Sequence, residues 1–302
     1  MCNWKNIKQN NLSSFSDKTV AAVSIFWADG FLCLLFVLLT HFKYTRITVL
    51  NYSVCTIATS NTQWIWFFIF TALSSVMNGL YFFFLHEKKR KEFPVITAWL
   101  ANLLSIMSLL FAVKYQWKQR EEAYNNMTNT NGASTTSTDE TSPILFQQNG
   151  TSAIQNPSKT DVFFVLLFLL SAGFFIAAWT KETEIFYWVA HILLWIIQAA
   201  IFIIILIIHY KITHEGPSVF VKCILLAAVM ANAVTDIPSY IWLNCILEDE
   251  NPAEDAFKCY DILIGLVLLS HIAFFFVMRT EFLRLKDVAR WRVAGEIDNL
   301  DP

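Results

Sequence analysis

Asp29, Asp236 and His271 are ionisable side chains set inside long apolar runs of a 302-residue chain. Asp29 lies near the middle of the run that follows Lys18, with Gly30 directly after it. Asp236 comes one helical turn after Asn232 and two residues before Pro238, and His271 sits near the middle of the last run. A charged side chain at bilayer depth costs about 2.5 to 3.5 kcal/mol on insertion scales, so these groups should face protein or water rather than lipid tails. Carboxylates and an imidazole can hold a cation or pass on a proton. Asp29, Asn232, Asp236 and His271 are therefore the candidates for a ligand or ion site. Pro238 adds to this, because it cannot donate to the helix ladder and frees carbonyls near residue 234. The competing role for Asp29, Asp236 and His271 is a polar clamp between helices. Asn78 with Ser74, and Asn102 with Ser105, are expected to bond neighbouring helices, a contact worth about 0.6 kcal/mol. His191, Trp195 and Gln198 share a helix face at spacings of four and three, and packing is expected there too.

The elements that must position these groups follow from composition. The chain is 56% hydrophobic and 15% charged, with a mean hydropathy of +0.47. A soluble domain carries about 25% charged residues, so this chain has too little charge to cover a water-facing surface. It reads as an integral membrane protein. A spanning helix needs about 20 apolar residues, and seven stretches qualify, near 19–40, 61–85, 95–113, 162–180, 185–209, 219–247 and 260–278. Helices are required because backbone groups in lipid must be satisfied within the segment. The fold class is all-α, a polytopic transmembrane helix bundle. Residues 1–18 form a polar segment, 19–113 the first three spans, 114–161 a disordered polar loop, 162–278 the last four spans and 279–302 a tail. The stretch 47–60 is read as a loop or membrane-surface segment, an eighth crossing being the minority alternative. No cleavable signal peptide is evident, and the first span is expected to act as its own targeting signal.

The loop around Asn129 to Ser142 is too polar to bury a core. Asn126 and Asn149 lie in it as Asn-x-Ser/Thr acceptors for glycosylation, and Asn11 and Asn51 are two more. The Lys and Arg distribution favours an outside amino terminus and a cytosolic carboxyl terminus, resting mainly on the basic tail. The run Lys88 to Lys91 opposes this, since it then falls outside. Cys245 and Cys259 bracket the acidic link between the last two spans and form a disulfide if that side is oxidising, or else remain free thiols. No CxxC spacing or Cys/His quartet points to zinc, so neither a metal nor a cofactor is expected. A net charge of -2 argues against nucleic-acid binding.

After the last span, Phe282, Leu285, Val288 and Ala289 recur on one face, with Arg284, Lys286 and Arg290 on others. This predicts a C-terminal amphipathic helix that meets anionic lipid or a cytosolic protein over 279–292. The link ending in Phe93-Pro94, the acceptor-bearing loop after the third span, Asp236-Ile237-Pro238, Phe257-Lys258 and Leu283-Arg284-Leu285 together resemble the transmembrane protein 26 family. The resemblance implies a polytopic membrane protein with an important Asp in a late helix, and no catalysis. The seven-span outline with a helical tail favours a receptor-like or interaction scaffold in the plasma membrane or endomembrane system. It lacks Asp-Arg-Tyr after the third span, where Lys114-Tyr115-Gln116-Trp117 stands, and it lacks Asn-Pro-x-x-Tyr in the last. The alternative is a transporter or channel using Asp29, Asp236 and His271, although the paired repeats of many transporters are not evident. An enzyme is not expected, because no nucleophile and base pair stands out. Oligomeric state has no signature.

Overall fold

The apolar runs become helices in the computed structural model, which describes residues 20–44, 46–49, 52–57, 59–84, 92–132, 159–181, 184–211, 219–220, 223–232, 242 and 254–298. The helices are α1 (Val20–Lys43), α2 (Thr59–Phe83), α3 (Glu92–Gly132), α4 (Lys159–Lys181), α5 (Glu184–Lys211), α6 (Cys223–Asn232) and α7 (Glu254–Asp298). Five of them carry stretches long and apolar enough to cross a membrane: Val20–Lys43, Thr62–Phe83, Phe93–Lys114, Ile185–Ile207 and Ala256–Leu283. The fourth and sixth expected spans appear as shorter apolar stretches, Val162–Ala178 and Cys223–Asn232, among the described residues. The architecture is a helical membrane bundle.

Three expectations about the connections change. Part of the stretch 47–60, expected to be a loop or surface segment, pairs as an antiparallel hairpin of β1 (Arg46–Val49) and β2 (Tyr52–Ile57). Arg46 faces Ile57 and Ile47 faces Thr56, with an irregularity before the Val49 and Tyr52 pair. The β-branched Ile47, Thr48, Val49, Val54, Thr56 and Ile57 explain the choice, since they favour a pleated surface over a helix. A hairpin here leaves no room for an eighth helical crossing. The loop expected from 114 is helical to Gly132, because α3 continues past its apolar part through Gln119, Glu121, Glu122 and Ala123 without a Gly or Pro to stop it. Likewise the tail helix expected from 279 is not separate: α7 passes through Arg279 to Asp298 as one 45-residue helix.

The core draws on every helix. Phe36 from α1, Phe68 from α2, Leu103 and Leu110 from α3, Phe175 from α4, Ile197 and Ile201 from α5, Val229 from α6 and Phe274 from α7 belong to a single buried cluster. Ring pairs join neighbours: Phe36 stacks on Phe275 with centroids 4.2 Å apart, and Trp99 stacks on Phe175 at 4.1 Å. Such pairs contribute about 0.5 to 1.5 kcal/mol each beyond area burial. The outward faces are apolar as well. Phe31, Leu34, Leu35 and Leu38 on α1 and Ile192, Ile196, Ile203 and Ile207 on α5 are exposed, which suits lipid rather than water.

Small residues set two close crossings between α1 and α2. A Cβ on Gly30 would lie 2.7 Å from Val76 Cγ2 and 3.4 Å from the Ala72 carbonyl, and one on Gly79 would collide with the Trp27 ring. Hydroxyl bonds tie the next pairs. Thr71 and Ser105 Oγ atoms are 2.6 Å apart between α2 and α3, Ser74 donates to the Ala98 carbonyl at 2.9 Å, and Ser171 of α4 donates to the Ala190 carbonyl of α5 at 3.0 Å. Ser74 and Ser105, the serines set beside Asn78 and Asn102 in the sequence, thus bond between α2 and α3.

Candidate functional site

The site begins with Gly30. With no side chain there, α1 approaches α2 closely enough for the adjacent Asp29 carboxylate to reach Ser75, whose Oγ donates to Oδ2 at 2.5 Å. Phe67 and Ser75, two turns apart on one face of α2, both reach the site. From α7, His271 places Nδ1 2.9 Å from Asp29 Oδ1 and 3.1 Å from Oδ2. Asp29 and His271 are both buried, as a carboxylate and an imidazole at bilayer depth must be. The Phe67 ring meets His271 edge to face with centroids 6.2 Å apart, and Phe274 packs on Phe67. Cys33, one turn after Asp29, is fully buried and points its thiol at Oδ1 across 3.8 Å.

Asp29 and His271, whose convergence the sequence leaves open, meet across 242 residues of sequence. Asp236 lies outside the described residues. Asn232 does not join the pair. Its amide instead forms a second polar seam, accepting from Gln198 Nε2 of α5 at 3.2 Å and donating to Ser270 Oγ of α7 at 3.1 Å. Ser270 also donates to the Val267 carbonyl at 2.6 Å. Because Ser270 precedes His271, this seam sets the rotation of α7 just where the imidazole leaves it. Gln198 is buried and His191 packs against Tyr187 at a centroid distance of 4.5 Å, but Trp195 is 52% exposed and leaves their shared face for the lipid side.

Two members of the site were not among the sequence candidates. Cys33 had a readable signal in its spacing of four from Asp29. Ser75 had none, since nothing in its neighbourhood separates it from Ser74. At the sides of the bundle, Tyr44 at the end of α1 accepts a hydrogen bond from Arg279 Nε at 3.1 Å and packs edge-on to Phe282. Cys259 is an exposed free thiol, and its expected partner Cys245 lies outside the described residues, as do the acceptors Asn11, Asn51 and Asn149. Asn126 falls within α3.

Chemically, the arrangement offers a carboxylate, an imidazole, a hydroxyl and a thiol on three helices, shielded by aromatic rings. It can share a proton between Asp29 and His271 or present both to a cation. No known protein family, curated protein or solved structure matches the chain.

Proposed function

We propose that this multi-pass membrane protein passes protons or a small cation across the bilayer, with Asp29 and His271 as the exchange site. The observation that carries the reading is the buried contact of 2.9 Å between His271 Nδ1 and Asp29 Oδ1. A clamp between helices has no need of this chemistry. Replacing a buried ion pair by apolar groups is often neutral or stabilising by about 1 to 4 kcal/mol, and neutral hydroxyl and amide bonds already join the helices elsewhere. An imidazole and a carboxylate in contact can exchange a proton without backbone movement, which is the role such intramembrane pairs serve in proton relays.

In proteoliposomes holding a pH-sensitive dye, Asp29→Asn and His271→Gln should each lower proton flux about tenfold or more, a loss of about 1.4 kcal/mol of barrier lowering. Ser171→Ala, on the far side of the bundle, should leave it unchanged. Wild-type flux in both site variants would remove the reading.

A receptor-like or interaction scaffold is supported by one observation, the continuous 45-residue α7. At about 1.5 Å per residue it is about 67 Å long, more than twice the hydrocarbon thickness of roughly 30 Å, and so carries a helix well beyond the membrane. Neither reading assigns catalysis to the chain.

A further inference from the structure

The proton reading makes no use of Cys33, yet its thiol is fully buried and aimed at the same carboxylate oxygen as His271. Sulfur, imidazole nitrogen and carboxylate oxygen all lie within 4.8 Å of one another. We propose that the cation taken by this site is a divalent, thiolate-binding transition metal ion of the zinc type, held by Asp29, Cys33 and His271. The proposal rests on the reading of Asp29 and His271 as the exchange site and names its cation.

Geometry favours it. A tetrahedral ion with bonds of about 2.3 Å to sulfur and about 2.0 Å to nitrogen and oxygen sets its ligands about 3.3 Å apart for N and O, and about 3.5 Å for S and O. The N–O and S–O separations here are 2.9 Å and 3.8 Å, each within about 0.4 Å of those values, and sulfur and nitrogen lie within 4.8 Å of each other. Ser75 holds Oδ2 from behind, which leaves Oδ1 toward the other two ligands, the arrangement an outer-shell hydrogen bond provides. Three protein ligands leave the fourth tetrahedral position to a non-protein ligand such as water.

Charge selects the class of ion. A carboxylate, a thiolate and a neutral imidazole cancel a dication, and a neutral complex is the cheapest to keep at bilayer depth. A monovalent ion is neutralised by the carboxylate alone and leaves the thiol protonated and unused, whereas a dication takes the thiolate and displaces the thiol proton to solvent. Calcium takes six to eight oxygen ligands and magnesium a near-ideal octahedron of them, whereas this site offers one carboxylate and one hydroxyl. Thiolate selects zinc and its neighbours over hard cations.

The test titrates the purified full chain in detergent with Co²⁺ alone, followed by Zn²⁺. One Co²⁺ per chain is expected, with thiolate-to-cobalt charge-transfer absorption that equimolar Zn²⁺ abolishes and excess Ca²⁺ or Mg²⁺ does not. Cys33→Ser should remove the absorption and weaken Zn²⁺ binding about tenfold or more, while Cys223→Ser, at an exposed thiol of α6, should change neither. No stoichiometric Co²⁺ in the wild type, displacement by Ca²⁺, or absorption that survives Cys33→Ser would overturn the proposal. If Cys33→Ser does not stay monodisperse, the wild-type stoichiometry and the Ca²⁺ and Mg²⁺ competition decide alone. Proton flux that depends on Asp29 without Co²⁺ binding overturns the metal and leaves the exchange site. Co²⁺ bound through Cys33 without proton flux supports the metal site and overturns the proton path.

Discussion

Asp29 can be held at depth because its neighbour is glycine. The carboxylate needs Ser75 and His271 within hydrogen-bond distance, and α1 comes that close to α2 only because position 30 carries no Cβ. Val76, which would receive that Cβ at 2.7 Å, is β-branched and has few rotamers with which to give way. Gly30→Val should therefore destabilise the protein by about 1 to 3 kcal/mol through overpacking, seen as a lower thermal midpoint in detergent. Gly173→Val is the matched control: nothing lies within 4 Å of a Cβ there, and the midpoint should not move. A Gly30 variant with an unchanged midpoint would mean that α1 and α2 have room to separate, and the Asp29 contacts would lose their stated cause.

Among the elements, α7 does two jobs along one axis. Its apolar part, Ala256–Leu283, supplies His271 and Ser270 to the interior. Past Leu283 the helix goes on for about 22 Å at 1.5 Å per residue. Tyr44 and Phe282 pack at the junction, where Arg279 also bonds Tyr44, so the exit angle is anchored to the end of α1. The helix continues without a break past this anchor, and the sequence sets Leu285 and Val288 three residues apart along it. Spin labels placed singly from 280 to 290 in nanodiscs should report accessibility with an unbroken period of about 3.6 residues. A break in that period at Arg279, with positions 285 and 288 shielded by lipid, would restore the separate surface helix.

At the scale of the whole molecule, the apolar parts of the helices are apolar both inside and outside, and the side-chain hydrogen bonds described between helices lie in narrow seams. One buried cluster runs through α1 to α7, while the exposed faces of α1, α4 and α5 carry Phe, Leu and Ile. Water cannot solvate such a surface, so the bilayer is part of the fold. Its orientation has a consequence for the acceptors. With an outside amino terminus, the connection after the third span is cytosolic, and Asn126 and Asn149 should stay unmodified. Translation into microsomes followed by glycosidase should produce no mass shift at these positions, and Asn126→Gln with Asn149→Gln should migrate as the wild type. A shift lost in the double variant would place that connection in the lumen and reverse the orientation.

The sequence alone determined the solvent and the number of apolar runs, because the cost of exposing backbone and charge to hydrocarbon is set by composition over about 20 residues and needs no knowledge of neighbours. It also marked Asp29 and His271, since an ionisable group in such a run is visible without a fold. What it could not supply was the pairing of Asp29 with His271, the rotation that brings Ser75 rather than Ser74 to the carboxylate, or the separation of Asn232 into its own seam with Gln198 and Ser270. Those depend on which helices touch. In a bundle with apolar residues on every side, periodicity names no inner face, so helix order and rotation are settled by close packing at Gly30 and by hydrogen bonds across long sequence separations. The hairpin before α2 and the continuations of α3 and α7 escaped for a simpler reason: average polarity marks where lipid ends, and backbone hydrogen bonding continues past that point.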